Sequence, residues 1–340
     1  MKNRIKKQIL QLLLEGKNSF YEILATQDAG IKEFWEILQE LKDDKCIRID
    51  KGKIILEEKK DKNYEILKSI KSSICKECNG TGYKLNDFFL EILKKYNNLT
   101  KNRPKAKAEY DQGFISPEGV IKRAAFIYER GDLWDNKIFI VGDDDLLSIA
   151  LALTQLPKEI QVCDIDERII NFINEIAQKE NLPIKAEILD VQDPLPKKFE
   201  KKFDIFVTDP VETIPGFTLF ISRGVSSLKG VGGVGYFGLT TLEASRKKWY
   251  EIEERLLKMG FVITDIRRRF NIYPLVEVSF GAYEDKLPIY NLVKEKSDYN
   301  WYSSSFFRIE AVKEPEPLVK ERMIIEEKVY KDEESLATPY

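Results

Sequence analysis

The fold is decided by residues 137–180, KIFIVGDDDLLSIALALTQLPKEIQVCDIDERIINFINEIAQKE. The apolar run at 137–141 is typical of a buried strand, and after a turn at Gly142 residues 146–156 form an apolar helical segment. A second strand is predicted at 160–165, and the isoleucines that follow it recur at helical spacing. Strand, helix, strand and helix within about 45 residues predict the opening unit of a parallel, doubly wound α/β sheet, whose ligands lie at the carboxyl ends of the strands.

The loop after the first strand is unusually acidic, with one glycine followed by three aspartates, Gly142-Asp143-Asp144-Asp145. Sites for dinucleotides or S-adenosylmethionine usually carry several glycines there, because the backbone must approach the ligand closely. Carboxylates repel phosphate and carboxylate groups, so a nucleotide with a pyrophosphate is disfavoured and a cationic ligand is favoured. Capping of the next helix would account for one or two of the three aspartates.

Acids also follow the later strands, which are expected at 184–189 and 203–208. The acids at these strand ends and at the end of the second strand are Asp164, Asp166, Asp190, Asp209 and Glu212. Facing carboxylates repel one another unless a cation is bound, so their joint placement predicts a site for a metal ion or a polyamine. An acid after the second strand of such folds commonly binds ribose hydroxyls, which gives Asp164 a nucleoside role and places Asp190 near the adenine edge.

The amino-acid composition limits the kinds of catalytic site that this chain can form. The chain has 340 residues, which suggests about two domains, and it contains no histidine. The absence of histidine excludes Ser-His and Cys-His nucleophile systems and most zinc hydrolase sites. Acid–base work therefore falls to carboxylates, Tyr, Lys or Cys.

The first residues, MKNRIKKQILQLLLEG, are basic and then apolar, as in a signal peptide. Their apolar positions are helically spaced and no small-residue cleavage site follows, so we predict an amphipathic helix. No apolar run in the sequence is long enough to span a bilayer. We expect a cytoplasmic protein without a membrane partner.

Residues 1–58 have the outline of a winged-helix-like domain, with three helices followed by short strands at 46–50 and 53–56. Such domains commonly bind DNA. Residues 1–60, however, carry 13 Lys and Arg against 11 Asp and Glu, and the third predicted helix is net negative. Because a helix in the major groove should not present negative charge to phosphates, we favour an interaction or dimerisation role, and hence a homodimer, over nucleic-acid binding.

A connector at 59–102 contains Cys75-Lys-Glu-Cys78, followed by Gly80 and Gly82. Two cysteines separated by two residues and followed by glycines resemble one knuckle of a zinc ribbon, whose tight turn directs both sulfurs to one metal. One knuckle supplies half of a tetrahedral site. Three alternatives stay open, namely zinc shared across a dimer, free thiols or a disulfide, and no prosthetic group is expected.

The catalytic domain is expected at 103–312. Its loop EYDQG at 109–113 should reach the site from outside the sheet and bring Tyr110 and Gln112 to it. Further helices are predicted at 117–130, 217–228 and 242–259, and further strands at 232–239, 261–269, 276–283 and 306–312. The charged, proline-bearing residues 313–340 are expected to form a flexible C-terminal tail that can order over the site.

Three motifs together resemble the branched-chain polyamine synthases of thermophiles, the N4-bis(aminopropyl)spermidine synthases. They are GDDD at 142–145, CDID at 163–166 and TDPVET at 208–213. The resemblance covers nearly the whole chain and implies an aminopropyltransferase with a winged-helix-like N-terminal domain and a methyltransferase-like, Rossmann-type catalytic domain. It also implies that Asp143 and Asp144 hold the secondary amine of spermidine next to the donor. Val211 departs from the family, in which a second proline is common at that position.

The charge of the first loop agrees with such a donor. Ordinary S-adenosylmethionine carries a carboxylate that three aspartates would repel, whereas decarboxylated S-adenosylmethionine ends in an ammonium group. The acceptor amine must lose its proton before it attacks, and a carboxylate within hydrogen-bond reach can take that proton. Asp144 is the predicted base, because the middle aspartate is the least suited to capping the following helix.

The predicted site has two parts. The acceptor polyamine is expected to contact Asp143, Asp144, Asp145, Asp209, Glu212 and Tyr110. The nucleoside donor is expected to contact Gln112, Gly142, Asp164, Asp166, Asp190 and Asp209. Two other functions remain open on the sequence: an S-adenosylmethionine-dependent methyltransferase, which explains Asp164 but not the acidic loop, and a nucleotide-sensing DNA regulator.

Overall fold

The computed structural model describes residues 2–57, 62–70, 72–78, 80–275 and 284–338. The N-terminal part has helices α1 (Lys2–Leu14), α2 (Phe20–Thr26) and α3 (Ile31–Asp43), then the antiparallel strands β1 (Ile47–Asp50) and β2 (Lys53–Leu56). This is the element order that the sequence predicted for the winged-helix-like domain. In the described part of the chain, no helix is both long and apolar enough to cross a bilayer.

The acidic side of α3 is neutralised within the protein. Lys2 of α1 lies 3.0 Å from the carboxylate of Glu40, and Arg246 of the catalytic domain lies 2.9 Å from Glu33. The N–H of Ile31, at the start of α3, donates to the carbonyl of Leu242 at 2.8 Å. This helix therefore docks on the catalytic domain.

Helices α4 (Lys62–Ser69) and α5 (Asp87–Thr100) both fall in the connector that the sequence predicted to end at residue 102. Helix α5 buries Phe89, Ile92 and Tyr96 in the same core as the sheet, because its apolar stripe packs on the next helix, α6 (Pro117–Glu129). The structure thus places α5 in the core of the sheet, whereas the sequence analysis assigned residues 87–100 to the connector.

The remaining elements are β3 (Lys137–Val141), α7 (Leu147–Leu153), β4 (Glu159–Asp164), α8 (Glu167–Glu180), β5 (Ile184–Ile188), β6 (Ile205–Thr208), α9 (Ile214–Ser227), β7 (Val234–Leu239), α10 (Arg246–Lys258), β8 (Phe261–Ile272), α11 (Pro288–Val293), β9 (Ser303–Ala311) and α12 (Glu327–Tyr330). The strands from β3 onward form one sheet in the order β5-β4-β3-β6-β7-β9-β8. Strands β3 to β7 are parallel, and β9 runs antiparallel between β7 and β8. This is the predicted doubly wound, methyltransferase-like sheet, and its chain order reverses at β3, where a ligand crevice is expected.

Strand β3 is buried on both faces. Ile138 and Ile140 pack into the core on one side of the sheet, and Phe139 and Val141 pack into the core on the other. A strand covered by helices on both faces needs apolar residues at every position, which is why it reads as a continuous apolar run.

Two helices begin at residues other than those predicted, because a capping side chain determines the start. Thr213 accepts the N–H of Gly216, so α9 begins at Ile214 rather than at residue 217. Ser245 accepts the N–H of Lys248, so α10 begins at Arg246 rather than at residue 242. The predicted strand at 276–283 lies outside the described residues.

The C-terminal segment differs from the free tail expected at 313–340. It crosses the carboxyl edge of the sheet, where the N–H of Met323 donates to the carbonyl of Gln192 at 2.9 Å. Val329 is fully buried, and its carbonyl accepts the hydroxyl of Thr213. Backbone hydrogen bonds and buried anchors thus order this segment over the site, as the sequence had left open.

Candidate active site

A cavity opens at the carboxyl ends of β3, β4 and β6, where the predicted acids converge. The predicted residues that line it are Tyr110, Gln112, Gly142, Asp144, Asp164, Asp190, Asp209 and Glu212. Two further acids line it that the sequence analysis did not single out, Asp111 and Glu243. Within the described part of the chain, the lining contains no Lys or Arg. A partly enclosed site with so many carboxylates favours a cationic ligand.

Asp143 and Asp166, two of the predicted site residues, are not among the residues that line the cavity, and each caps a helix. Asp143 accepts the N–H of Leu147, in the first turn of α7, at 2.7 Å. Asp166 caps α8 by accepting the N–H of Arg168 at 3.0 Å. Free N–H groups at a helix start are the natural partners of a carboxylate, so both acids have structural tasks.

Asp145, a third predicted site residue, is buried and is not among the residues that line the cavity. It accepts the N–H of Ile115 at 2.7 Å and lies 2.9 Å from the guanidinium of Arg123. The same guanidinium makes a two-pronged contact with Asp209, at 2.6 and 3.2 Å. Arg123 is itself buried, so it offsets the charge of two carboxylates and joins α6 to the ends of β3 and β6.

Asp144 is the member of the acidic loop whose side chain lines the cavity. Its carboxylate accepts the N–H of Gly113 at 3.2 Å, and its carbonyl accepts a hydrogen bond from Arg103. Burial, together with the nearby charges of Asp164 and Asp209, raises the pKa of Asp144 to about 6. A carboxylate with that pKa is largely ionised at neutral pH and well suited to accept a proton.

The acids at the carboxyl ends of β4 and β5, Asp164 and Asp190, both line the cavity. Asp164 accepts the N–H groups of Asp143 and Asp166 at 2.9 and 2.8 Å, so it is rigidly oriented. Asp190 accepts the N–H and the side-chain amide of Gln192 at 2.9 and 2.8 Å. The cavity lining also contains apolar residues, which suit a flat aromatic base: Ile165, Leu189, Val191, Val211 and Phe220.

Glu212 and Glu243 form a second acidic part of the cavity. One oxygen of Glu212 accepts the N–H of Thr240 at 2.6 Å, and the other is buried without a hydrogen-bond partner among the described residues. Glu243 accepts the hydroxyl of Tyr302 at 2.9 Å and the N–H of Ala337 at 2.6 Å. Burial raises the pKa of Glu243 to about 7. Burial and the charge of Glu243 raise the pKa of Glu212 well above its ordinary range, so a bound cation would relieve both carboxylates.

The loop at 109–113 reaches the cavity as predicted. The side-chain amide of Gln112 donates to Asp166 at 3.1 Å, while its oxygen accepts the N–H of Lys107 at 2.8 Å. Asp111 has a positive φ of 53°, and burial, followed by the charges of Glu243 and Asp144, raises the pKa of Asp111 well above its ordinary range. The backbone turn therefore points a third acid toward Glu243 and Asp144.

Besides Asp111, which lies in the predicted loop, sequence reasoning missed two charged residues of this region, Arg123 and Glu243. Arg123 stands in the apolar run VIKRAAFI of α6, and a charge on a buried face is a signal that could have identified it. Glu243 follows β7 in a segment that was read as a continuous amphipathic helix, and its place in the site depends on Tyr302 and on the C-terminal segment. No local pattern marks a residue whose partners lie far along the chain.

Comparison with known proteins identifies the family to which this chain belongs. The family model for the branched-chain polyamine synthase A C-terminal domain matches residues 91–337. The chain belongs to the branched-chain polyamine synthases. This confirms the family that the three motifs resemble, and the matched range includes most of α5, of the cavity lining and of the C-terminal segment.

Individual members of the family are similar over most of their length. The chain is 40% identical to N(4)-bis(aminopropyl)spermidine synthase of Methanocaldococcus jannaschii, over 94% of this chain and 91% of that one. It is 41% identical to the synthase of the same name from Thermococcus kodakarensis, over 78% and 74% of the two chains. A crystal structure of a mutein of the Thermus thermophilus branched-chain polyamine synthase, in complex with N4-aminopropylspermidine and 5′-methylthioadenosine, superposes with a TM-score of 0.85 at 30% identity, covering 98% of this chain and 93% of that one.

Proposed function

We propose that this protein transfers the aminopropyl group of decarboxylated S-adenosylmethionine to the secondary amine of spermidine. The nitrogen lone pair forms a C–N bond with the methylene carbon beside the sulfonium. The C–S bond breaks, and its electron pair goes to sulfur, which leaves as neutral 5′-methylthioadenosine. The nitrogen gives up one proton, and the product is N4-aminopropylspermidine, which can accept a second aminopropyl group.

The donor nucleoside lies against the wall formed by Asp164, Asp190 and the apolar side chains beside them. Asp164 accepts the ribose hydroxyls, because its fixed carboxylate stands at the end of β4 where such hydroxyls bind in related folds. Asp190 lies near the adenine edge, and Gln112 and Gly142 bound the same part of the cavity. The leaving group is neutral, so no acid is required on the sulfur side.

The acceptor lies between Asp144 and the second acidic part of the cavity. Asp144 orients the secondary amine and takes its proton, since its carboxylate is ionised at neutral pH and faces the cavity. Asp209, Glu212 and Glu243 attract the terminal ammonium groups, and Tyr110 bounds this side.

The observation that carries the proposal is the sign of the charge in the cavity. Seven carboxylate residues line it without a lining Lys or Arg in the described part of the chain. Decarboxylated S-adenosylmethionine and spermidine are both polycations at neutral pH, so both fit this cavity. A methyltransferase would need to accommodate the carboxylate of ordinary S-adenosylmethionine among these acids.

The test is product analysis by mass spectrometry. Spermidine and decarboxylated S-adenosylmethionine, incubated with the purified protein, should yield N4-aminopropylspermidine, its doubly aminopropylated successor and 5′-methylthioadenosine in amounts equal to the aminopropyl groups transferred. Ordinary S-adenosylmethionine with the same acceptor is the matched control and should give no methylated polyamine. Methyl transfer, or no transfer from either donor, would refute the proposal.

A further inference from the structure

Arg123 of α6 is buried next to the catalytic cavity without lining it, and only 1% of the residue is exposed. Its guanidinium lies 2.9 Å from the carboxylate of Asp145 and makes the two-pronged contact with Asp209. Asp209 lines the cavity, whereas Asp145 does not. One guanidinium therefore fixes the loop after β3 relative to the end of β6, the two places from which Asp144 and Asp209 reach the cavity.

The guanidinium of Arg123 is itself held by residues of the antiparallel strands. Its Nε atom donates to the side-chain oxygen of Asn271 at 2.8 Å. The side-chain nitrogen of Asn271 in turn donates to the hydroxyl of Ser304 at 2.9 Å, and the ring of Phe306 lies 4.8 Å from the guanidinium carbon. Asn271, Ser304 and Phe306 are all buried. A guanidinium with hydrogen-bonded nitrogens and a packed face has one orientation, so it can impose an orientation on a carboxylate.

Gly238 of β7 leaves the space that the carboxylate of Asp209 occupies. A methyl group at this position would overlap the Oδ1 atom of Asp209. The φ angle of Gly238 is not among the positive values of the chain, so a close approach of a side chain, and not backbone conformation, accounts for the glycine. The carboxylate of Asp209 is thus fitted in contact with both Arg123 and β7.

This fit determines how Asp209 faces the proposed base. Burial, followed by the charges of Asp164 and Asp209, raises the pKa of Asp144 to about 6, so these carboxylates act on one another. Because carboxylates repel, Asp209 without a partner would turn away from Asp144. An ionised carboxylate has about four acceptor positions, and the two-pronged contact with Arg123 uses two of them. The others remain for N–H groups of a ligand in the cavity.

We propose that Arg123 is a positioning residue for aminopropyl transfer, which holds Asp209 beside Asp144 and so places the secondary amine of the acceptor within reach of the base and the donor. Arg123 does not touch the substrates and acts through Asp209. The inference rests on the proposed function, and it adds to that function a residue that determines where the acceptor lies.

Arg123→Lys is the first test, because lysine keeps the positive charge but cannot make a two-pronged contact. Small displacements of a reacting group are costly, so kcat/KM for spermidine should fall by roughly 10- to 100-fold. The Kd of 5′-methylthioadenosine, measured by calorimetry, should stay close to that of the wild type. Arg130→Lys is the matched control at the end of the same helix. Its side chain pairs with Asp265 at 3.3 Å and is 37% exposed, so wild-type kcat/KM is expected.

A double-mutant cycle shows whether Arg123 acts through Asp209, since residues that act as a unit have non-additive effects. In the Asp209→Asn background, Arg123→Lys should cause little further loss of kcat/KM. In the Asp145→Asn background, it should still lower kcat/KM. A purely structural role would give the opposite or an additive pattern, and either result would overturn the proposal.

Gly238→Ala tests the same arrangement without altering a buried charge. The added methyl group should displace Asp209 from Arg123, so kcat/KM for spermidine should fall while the affinity for 5′-methylthioadenosine is retained. Cooperative thermal unfolding shows that each variant is folded, and Gly238→Ala decides the question if Arg123→Lys does not fold. Wild-type kcat/KM in Gly238→Ala or in Arg123→Lys would overturn the inference.

Spermidine binding separates failure of this inference from failure of the proposed function. The Kd of spermidine, measured by calorimetry with 5′-methylthioadenosine bound, should rise in Arg123→Lys and in Gly238→Ala, and this measurement does not require turnover. A wild-type protein that transfers no aminopropyl group would refute the proposed function. An unchanged Kd of spermidine in both variants would refute the role of Arg123.

Discussion

Asp144 differs from its two neighbours in the direction of its side chain. Asp143 faces the start of α7 and Asp145 faces Arg123, whereas Asp144 faces the cavity. Successive residues in a tight turn point in different directions, so three identical side chains enter three different environments. Of the three aspartates in this loop, only the middle one therefore contributes its charge to the cavity lining, and its two neighbours hold the turn in place.

Substitution of the proposed base tests this division directly. Asp144→Asn keeps the size of the side chain but cannot take a proton, so turnover should fall by roughly 100-fold or more, as is typical of lost general-base catalysis. The dissociation constant of the donor should change much less. Asp143→Asn, which alters a helix cap, is the control and should lower thermal stability more than turnover. Near-normal turnover in Asp144→Asn would mean that another residue accepts the proton.

The pH dependence of turnover provides a second test at the same residue. A protonated Asp144 cannot accept a proton, and burial and neighbouring acids raise its pKa to about 6. With spermidine well below saturation, kcat/KM for spermidine, which reports the ionisation of the free enzyme, should therefore rise as the pH increases through about 6. The profile of Asp144→Asn should lack this acidic limb, and the same limb in the variant would assign it to another group, such as Glu243.

At the scale of elements, the C-terminal segment completes the cavity. Residues of this segment line it beside the acids of the sheet: Ile325, Tyr330, Ser335, Ala337 and Thr338. The N–H of Ala337 also fixes Glu243, so the segment both closes the site and orients one of its carboxylates. A largely irregular segment thus becomes part of the site because Arg223 of α9 and Glu243, in the loop after β7, offer it hydrogen-bond partners.

Removal of residues 323–340 should weaken the binding of the acceptor. Glu243 loses a hydrogen bond worth about 1.5–3 kcal/mol for a charged acceptor, so KM for spermidine should rise by roughly 10-fold or more. Steady-state kinetics at saturating donor measure this change. Ile324→Ala is the control, because this side chain is 67% exposed and should leave KM unaltered. An unchanged KM in the truncated protein would mean that the segment does not contribute to the acceptor site.

At the scale of the whole molecule, the fold gathers carboxylates from several strands and loops into one cavity, and each opposes the ionisation of the others. Burial raises the pKa of Asp144 to about 6 and that of Glu243 to about 7. A cationic ligand reverses this effect, because it favours the ionised forms. Substrate binding and protein stability are therefore linked through pH.

Thermal unfolding should reveal this linkage. A carboxyl group whose pKa is raised in the folded protein holds its proton more tightly there, so its stabilising contribution is complete below its unfolded pKa and is lost as the pH rises through the folded value. The contribution of Asp144 and Glu243 should consequently lower the Tm of the ligand-free protein as the pH rises from 5 to 8. Spermidine should raise Tm more at pH 8 than at pH 5. An equal increase in Tm on adding spermidine at both pH values would contradict this explanation. So would a smaller fall in Tm between pH 5 and 8 in the wild type than in the double variant Asp144→Asn, Glu243→Gln.

The charge of the cavity as a whole should also select the donor. Several carboxylates within reach of the carboxylate of ordinary S-adenosylmethionine should disfavour its binding by about 1–3 kcal/mol relative to the decarboxylated donor. Isothermal titration with the two donors measures the difference. Equal dissociation constants would mean that the acidic loop does not face the donor tail.

The sequence by itself determined the alternation of strands and helices and the position of acids at the ends of β3, β4, β5 and β6. These features are local, because apolar periodicity, capping residues and turn glycines act over a few positions. They were sufficient to predict the doubly wound sheet and to bring Asp144, Asp164, Asp190 and Asp209 to one edge. The motifs within them also carried the resemblance to the family.

Only the tertiary structure decided which of these acids face the cavity. Asp145 is turned inward by Arg123, and Glu243 joins the site through Tyr302 and Ala337, which are remote from it in sequence. The place of α5 in the core and the course of the C-terminal segment across the sheet were decided in the same way. The physical reason is that a buried charge must find its partner in space, and the distance between partners along the chain has no bearing on which contact satisfies it.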